Sequence, residues 1–196
     1  MRIKICGIPR PEDARFAEDA GADAIGVVVC SGDVSRRNVP LEQAERIFKA
    51  VGPFITTVAV SHTTSGDELR KMIALRPDAI QISHPFTFDK DPGVKLIRVV
   101  GRGEPLTYDC DAIIVDDSHG TGRTFDHSYA RDAVRTSGIP VILAGGLTPE
   151  NVRDAIREVR PYAVDVASGV EVSPGIKDHK KIKAFIAACR TQEQIP

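Results

Sequence analysis

Short runs rich in Val, Ile and Ala recur along the chain at residues 3–6, 24–29, 55–60, 79–82, 95–100, 112–115, 141–144 and 164–166. Most are continuously apolar instead of alternating with polar residues, which is the pattern of parallel strands covered on both faces. Between them lie amphipathic helical stretches with recognisable punctuation. Pro11-Glu12-Asp13 opens a helix that Gly21 closes, and Thr148-Pro149-Glu150-Asn151 places Thr at an N-cap with Pro at the first helical position. Further helices are predicted over 41–50, 66–75, 128–136 and 179–189. Eight strands with intervening helices predict an α/β fold, a (β/α)8 TIM barrel near minimal length, although an open doubly wound sheet uses the same alternation.

The economy of length falls between the fifth and sixth strands. Residues 101–111 include Gly101, Gly103 and Pro105 and are barely enough for a parallel crossover, so helix five is predicted to be short or missing. The fourth helix is also weak, bracketed by Pro85, Pro92 and Gly93.

Composition narrows the class. The 196 residues carry 26 Lys plus Arg against 27 Asp plus Glu and are 42% hydrophobic, as expected of one domain spanning 1–196 with a sizeable core. The basic residues are scattered, so no nucleic-acid partner is expected. No apolar stretch approaches the roughly 20 residues of a membrane span, and the N-terminus runs directly into a strand, so no membrane partner and a cytoplasmic location are expected. Cys6, Cys30, Cys110 and Cys189 have neither metal-site nor disulfide-scaffold spacing, and the five histidines show no ligand pattern. Neither a metal nor a cofactor is expected.

Candidate chemistry sits at strand ends. Lys4-Ile5-Cys6-Gly7 closes the first run and Ile114-Val115-Asp116 the sixth; a thiolate facing a carboxylic acid suits proton transfer between adjacent carbons. Ala144-Gly145-Gly146-Leu147 follows strand seven and Ala167-Ser168-Gly169-Val170-Glu171 follows strand eight. In barrels of this type the two loops commonly hold a phosphate through backbone N–H groups, so the expected partner is a small phosphorylated molecule. Ser118-His119-Gly120-Thr121-Gly122 reads as a mobile loop beside Asp116.

These segments together resemble the phosphoribosylanthranilate isomerase family over essentially the whole chain. The resemblance rests on Lys4-Ile5-Cys6-Gly7-Ile8, Ser35-Arg36-Arg37-Asn38-Val39, Gln81, Ile114-Val115-Asp116, Gly120-Thr121-Gly122 with Phe125-Asp126, Ala144-Gly145-Gly146-Leu147, and Val164-Asp165-Val166-Ala167-Ser168-Gly169-Val170-Glu171 with Gly175-Ile176-Lys177-Asp178. It implies the Amadori rearrangement of N-(5-phosphoribosyl)anthranilate in tryptophan biosynthesis, by a monomer or homodimer, with Asp116 as general acid and Cys6 as base. It further implies that Arg37 meets the anthranilate carboxylate, that Gln81 and Asp165 bind substrate, and that Gly145, Gly146, Ser168 and Gly169 hold the phosphate. From the residues alone Arg37 reads as a solvated loop charge next to Arg36, and Asp165 is equally a structural acid accepting loop N–H bonds.

Departures from the family pattern cluster around this pocket. Where many members read Gln-Leu-His-Gly after strand four, this chain reads Gln81-Ile82-Ser83-His84. A side chain moved one place along a strand changes face, so either His84 reaches the pocket from the loop or the contact is lost. Strand three ends Val58-Ala59-Val60-Ser61 where Phe and Asn are frequent, and Ala167 replaces a serine. Two alternatives remain: a related phosphosugar aminoaldose isomerase, which Cys6 opposes because those enzymes use paired aspartates, and a catalytically degenerate barrel that binds a phosphorylated metabolite.

Overall fold

The computed structural model describes residues 1–101, 105–106, 109–116 and 127–191. Eight parallel strands, β1 (Arg2–Ile5), β2 (Ala24–Val28), β3 (Thr56–Ser61), β4 (Ala79–Ile82), β5 (Lys95–Gly101), β6 (Ala112–Asp116), β7 (Val141–Ala144) and β8 (Ala163–Val166), close into a barrel in chain order. The seam is made by β8 against β1, with Lys4 beside Asp165 and Ile5 beside Val166. Helices α1 (Pro11–Asp19), α2 (Leu41–Phe48) and α3 (Gly66–Ala74) follow the first three strands, and α4 (His127–Thr136), α5 (Val152–Val159) and α6 (His179–Arg190) follow the last three. The closed order excludes the open sheet.

Among the described residues no helix follows β4 or β5. The β4–β5 segment is a run of bends and irregular backbone instead, and a side chain serves its carbonyls. Arg98 of β5 is 4% exposed; its Nη1 donates to the His84 carbonyl at 2.9 Å and its Nη2 to that of Phe86. A buried guanidinium with several fixed donors can replace the backbone ladder a helix would have supplied.

Strand parity divides the interior into two cores. Ile3, Ile5, Ile25, Ile80, Ile82, Ile113 and Leu143 point outward and pack under the helices, each large aliphatic contributing about 1.5–3 kcal/mol on burial. Residues of the other parity, including Cys6, Val28, Val58, Val60, Ile114, Ile142 and Ala144, fill the barrel itself. This period of two fixes which side chains reach the C-terminal mouth.

Two details differ from the sequence pattern. Regular α5 begins at Val152, although the Thr148 hydroxyl does accept from the Glu150 N–H at 3.3 Å, so a turn precedes the helix. A small antiparallel hairpin, β9 (Glu171–Ser173) and β10 (Ile176–Lys177), follows β8. It is too short to leave a periodic signal, and its turn uses Gly175 at φ +83°.

Candidate active site at the barrel mouth

A cavity of about 790 Å³ opens at the C-terminal ends of the strands, where it is walled by Arg37, His62, Ser83, Asp116, Gly145, Gly146, Asp165 and Ser168. Cys6 and Gln81, each 7% exposed, lie below the wall in the barrel interior, and Gly169 packs behind it. The loop at 118–122, with Phe125 and Asp126, lies outside the described residues.

The floor is built by β1, β2 and β8. Lys4 and Cys6 share inward parity, and the Cys6 N–H still donates to Val166 at 2.8 Å, one residue beyond the regular strand. Lys4 Nζ donates to Asp165 Oδ1 at 2.9 Å, with both side chains buried. Among the described residues Asp165 is therefore held by an ammonium and not by loop amides. Gly26 of β2 makes room for this group, because a Cβ there would stand 2.9 Å from Cys6 Sγ and 3.0 Å from Lys4 Nζ. Burial, then the Asp165 carboxylate, push the Cys6 thiol above its ordinary range, while Lys4 and Lys177 pull the other way. Burial also works against the Lys4 ammonium, but Asp165 and Cys6 outweigh it and hold its pKa above the usual lysine value.

Burial and Asp165 thus disfavour the thiolate, and Lys4 is a cation that favours it. Replacing Lys4 by Met removes a cation and leaves the Asp165 charge uncompensated beside Cys6, so both effects disfavour the thiolate. The expected result is a thiolate titration shifted to higher pH, read as ultraviolet absorbance that disappears in Cys6→Ala. An unchanged or lower titration point would show that Lys4 does not act on the thiol.

A second ionic group stands on the wall. Arg37, in the loop between β2 and α2, donates through Nε and Nη2 to the two oxygens of Glu171 at 2.8 and 2.7 Å. Lys177 Nζ donates to the same carboxylate at 2.8 Å. Burial alone would raise the Glu171 pKa, but the hydrogen bonds from Arg37 and Lys177 hold it below the usual carboxylate range. Arg37 is therefore anchored, not a freely solvated loop charge. Its stem crosses Gly7, where φ is +69° and a Cβ would stand 2.5 Å from Arg37 Cδ, so the glycine of the first motif is required by the arginine of the second.

The glycine turns after β7 and β8 form the opposite wall. Gly145 and Gly146 line the cavity with φ of +90° and +61°, a backbone conformation that glycine adopts without steric cost. Asn151 pins this turn, donating to the Gly146 carbonyl at 2.9 Å and accepting from the Thr148 N–H at 2.8 Å. The two loops touch so closely that a Cβ on Gly169 would lie 1.9 Å from the Leu147 carbonyl oxygen.

The displaced imidazole resolves in a way the sequence did not suggest. The His84 ring packs edge-on against Phe86, at 4.6 Å between centroids, and does not wall the cavity. His62, just past β3, does: its Nδ1 lies 3.1 Å from Ser83 Oγ. Strand parity was the available signal, since Val58, Val60 and His62 share one face. Below them Gln81 turns inward, and its buried Oε1 has no hydrogen-bond partner among the described residues, leaving an acceptor for a ligand donor. No group of three or more His, Cys, Asp or Glu among the described residues could hold a metal ion.

A closed parallel barrel with a thiol and two carboxylates at its C-terminal mouth, an anchored guanidinium on one wall and paired glycine turns on the other defines a (β/α)8-barrel enzyme. The model of the family described as N-(5'-phosphoribosyl)anthranilate (PRA) isomerase matches residues 95–188. The chain is 64% identical over 190 residues to the N-(5'-phosphoribosyl)anthranilate isomerase of Methanoregula boonei, covering 97% of each, and 41% identical to that of Haloferax volcanii, covering 97% of this chain and 93% of the relative. Among solved structures, phosphoribosyl anthranilate isomerase from Thermus thermophilus superposes with a TM-score of 0.82 at 35% identity, covering 96% of this chain and 98% of its own. A phosphoribosyl anthranilate isomerase in complex with reduced 1-(o-carboxyphenylamino)-1-deoxyribulose 5-phosphate gives 0.77 at 34% identity, covering 97% and 98%. The chain belongs to the N-(5'-phosphoribosyl)anthranilate isomerase family.

Proposed function

We propose that this chain, as a single barrel domain in the cytoplasm and without metal or cofactor, converts N-(5'-phosphoribosyl)anthranilate to 1-(o-carboxyphenylamino)-1-deoxyribulose 5-phosphate in tryptophan biosynthesis. The observation that supports this reading is one cavity lined by an anchored arginine, paired glycine turns, Asp116 and Asp165, with Cys6 buried beside Asp165. Asp116 donates a proton to the ribose ring oxygen as the C1–O bond breaks and the anilino nitrogen lone pair forms C1=N. Cys6, reacting as the thiolate, takes the proton from C2 as C1=C2 forms and the C1=N pair returns to nitrogen; the enaminol becomes the 2-ketone when C1 takes a proton back from Cys6 and the 2-hydroxyl proton passes to the Asp116 carboxylate, which restores both groups. Asp165, fixed by Lys4, and the Gln81 acceptor line the path of the sugar. Backbone donors of Gly145, Gly146, Ser168 and Gly169 take the phosphate, and Arg37 takes the anthranilate carboxylate.

The working unit is a monomer or a homodimer. Disappearance of anthranilate fluorescence on mixing with phosphoribosylanthranilate tests the activity directly. Turnover is expected; binding of the substrate without turnover would place the chain among degenerate phosphometabolite-binding barrels. Arg37→Ala is expected to weaken substrate binding by roughly 1.5–3 kcal/mol, a KM raised about ten- to a hundredfold, through loss of a charge-assisted contact. An unchanged KM would remove Arg37 from the substrate site.

A further inference from the structure

Arg37 offers only part of its guanidinium to the cavity. The bonds from Nε and Nη2 to Glu171 occupy the side edge of the planar fork, which leaves the end edge, Nη1 with the second Nη2 hydrogen, as the pair of donors open to a bidentate anion. No described residue accepts from Nη1. Glu171 is itself fixed from behind: Lys177 Nζ donates to its Oε1 at 2.8 Å and to the Ala167 carbonyl at 3.1 Å, and Lys181 Nζ donates to the Glu171 carbonyl at 2.9 Å. The side chains of Lys177 and Glu171 are 0% and 3% exposed. One buried carboxylate therefore faces two cations, and the group retains one positive charge.

We propose that Glu171 and Lys177 are positioning residues for carboxylate recognition, with Glu171 turning the end edge of Arg37 toward the ligand and Lys177 keeping the group net positive. The inference rests on the reading that Arg37 meets the aryl carboxylate of the substrate. It explains why the hairpin formed by β9 and β10 exists at this mouth, since it brings Glu171 and Lys177, six residues apart, onto one point.

Charge and orientation predict opposite signs for Glu171→Gln. Removing a negative charge would by itself tighten anion binding, whereas losing the second fixed acceptor lets the guanidinium rotate and weakens it. The experiment measures KM and kcat for phosphoribosylanthranilate and inhibition constants for two reduced product analogues, one with the ortho-carboxylate and one made from aniline. Glu171→Gln is expected to weaken the carboxylated analogue at least about tenfold and the aniline analogue less than about twofold, with KM moving more than kcat. In an Arg37→Met background the same change should add less than about twofold. Lys177→Met should give the same selective loss and serves as the second variant if Glu171→Gln does not fold. Unchanged or tighter binding of the carboxylated analogue, or equal loss of both analogues, overturns the proposal. Absence of turnover in the unaltered enzyme instead defeats the proposed activity, while the inhibitor comparison still tests Arg37 and its partners.

Discussion

Replacing Cys6 by Ala is expected to lower kcat by at least about a hundredfold, and replacing Asp116 by Asn to do the same, because each removes one of two positioned proton-transfer groups whose contributions are typically about 10²–10⁴-fold. The two ends are brought together by barrel closure: Asp116 ends β6 and pairs with Ala144, and Cys6 follows β1 and donates to Val166. Binding of a reduced product analogue should survive both changes, since the carboxylate and phosphate contacts lie on Arg37 and on the glycine turns. A kcat within a few-fold of the parent would dismiss that residue as the proton-transfer group and turn attention to Asp165. Loss of analogue binding together with kcat would instead mark a collapsed mouth.

Gly169→Ala should be the most damaging glycine substitution. Its new methyl group would stand 1.9 Å from the Leu147 carbonyl oxygen and 3.2 Å from Thr148 Cα, all backbone, so no rotamer change relieves the clash. The loops after β7 and β8 must separate, and with them the donors proposed for the phosphate. A destabilisation of at least about 1–3 kcal/mol is expected from overpacking, together with a KM raised about tenfold or more. Gly146→Ala is the internal control. Its methyl group meets nothing within 4 Å, and the cost is the left-handed backbone alone, about 1–2 kcal/mol. If Gly146→Ala proved the more harmful in thermal melting and in KM, the close approach of the loops would not be what holds this wall.

The barrel was legible because its strands are buried on both sides and so appear as uninterrupted Val and Ile runs. Among the described residues no helix lies between β4 and β5, and the weakness of that fourth crossover was legible from Pro85, Pro92 and Gly93. What replaces the fourth helix, Arg98 serving the carbonyls of His84 and Phe86, was not, because a lone arginine in a strand run carries no address for its donors. At the site, the residues that wall the cavity were mostly visible as motif positions, whereas their partners were not. Nothing in the spacing says that Lys4 meets Asp165 or that Glu171 is shared by Arg37 and Lys177. The pairs Lys4–Asp165 and Arg37–Glu171 span 161 and 134 residues and form only when the barrel closes, while Lys177 reaches Glu171 across the short hairpin. His62 shows the intermediate case: parity continues the inward face of β3 to it, but only the β3–β4 register, which pairs Ser61 with Ile82, sets it beside Ser83.

The ammonium that bears on the Cys6 thiol also ties the two ends of the chain. Lys4 lies on the first barrel strand and Asp165 on the last, so their bond spans 161 residues of sequence. During synthesis Lys4 and the thiol beside it are made 161 residues ahead of Asp165, so the electrostatic surroundings of Cys6 are incomplete until β8 has been added. Until β8 docks, Cys6 is an ordinary accessible thiol, and contacts this distant in sequence form late. Pulse alkylation of a refolding or ribosome-bound chain should therefore label Cys6 readily at first and lose it as the seam closes, which makes the thiol a built-in clock for completion of the barrel.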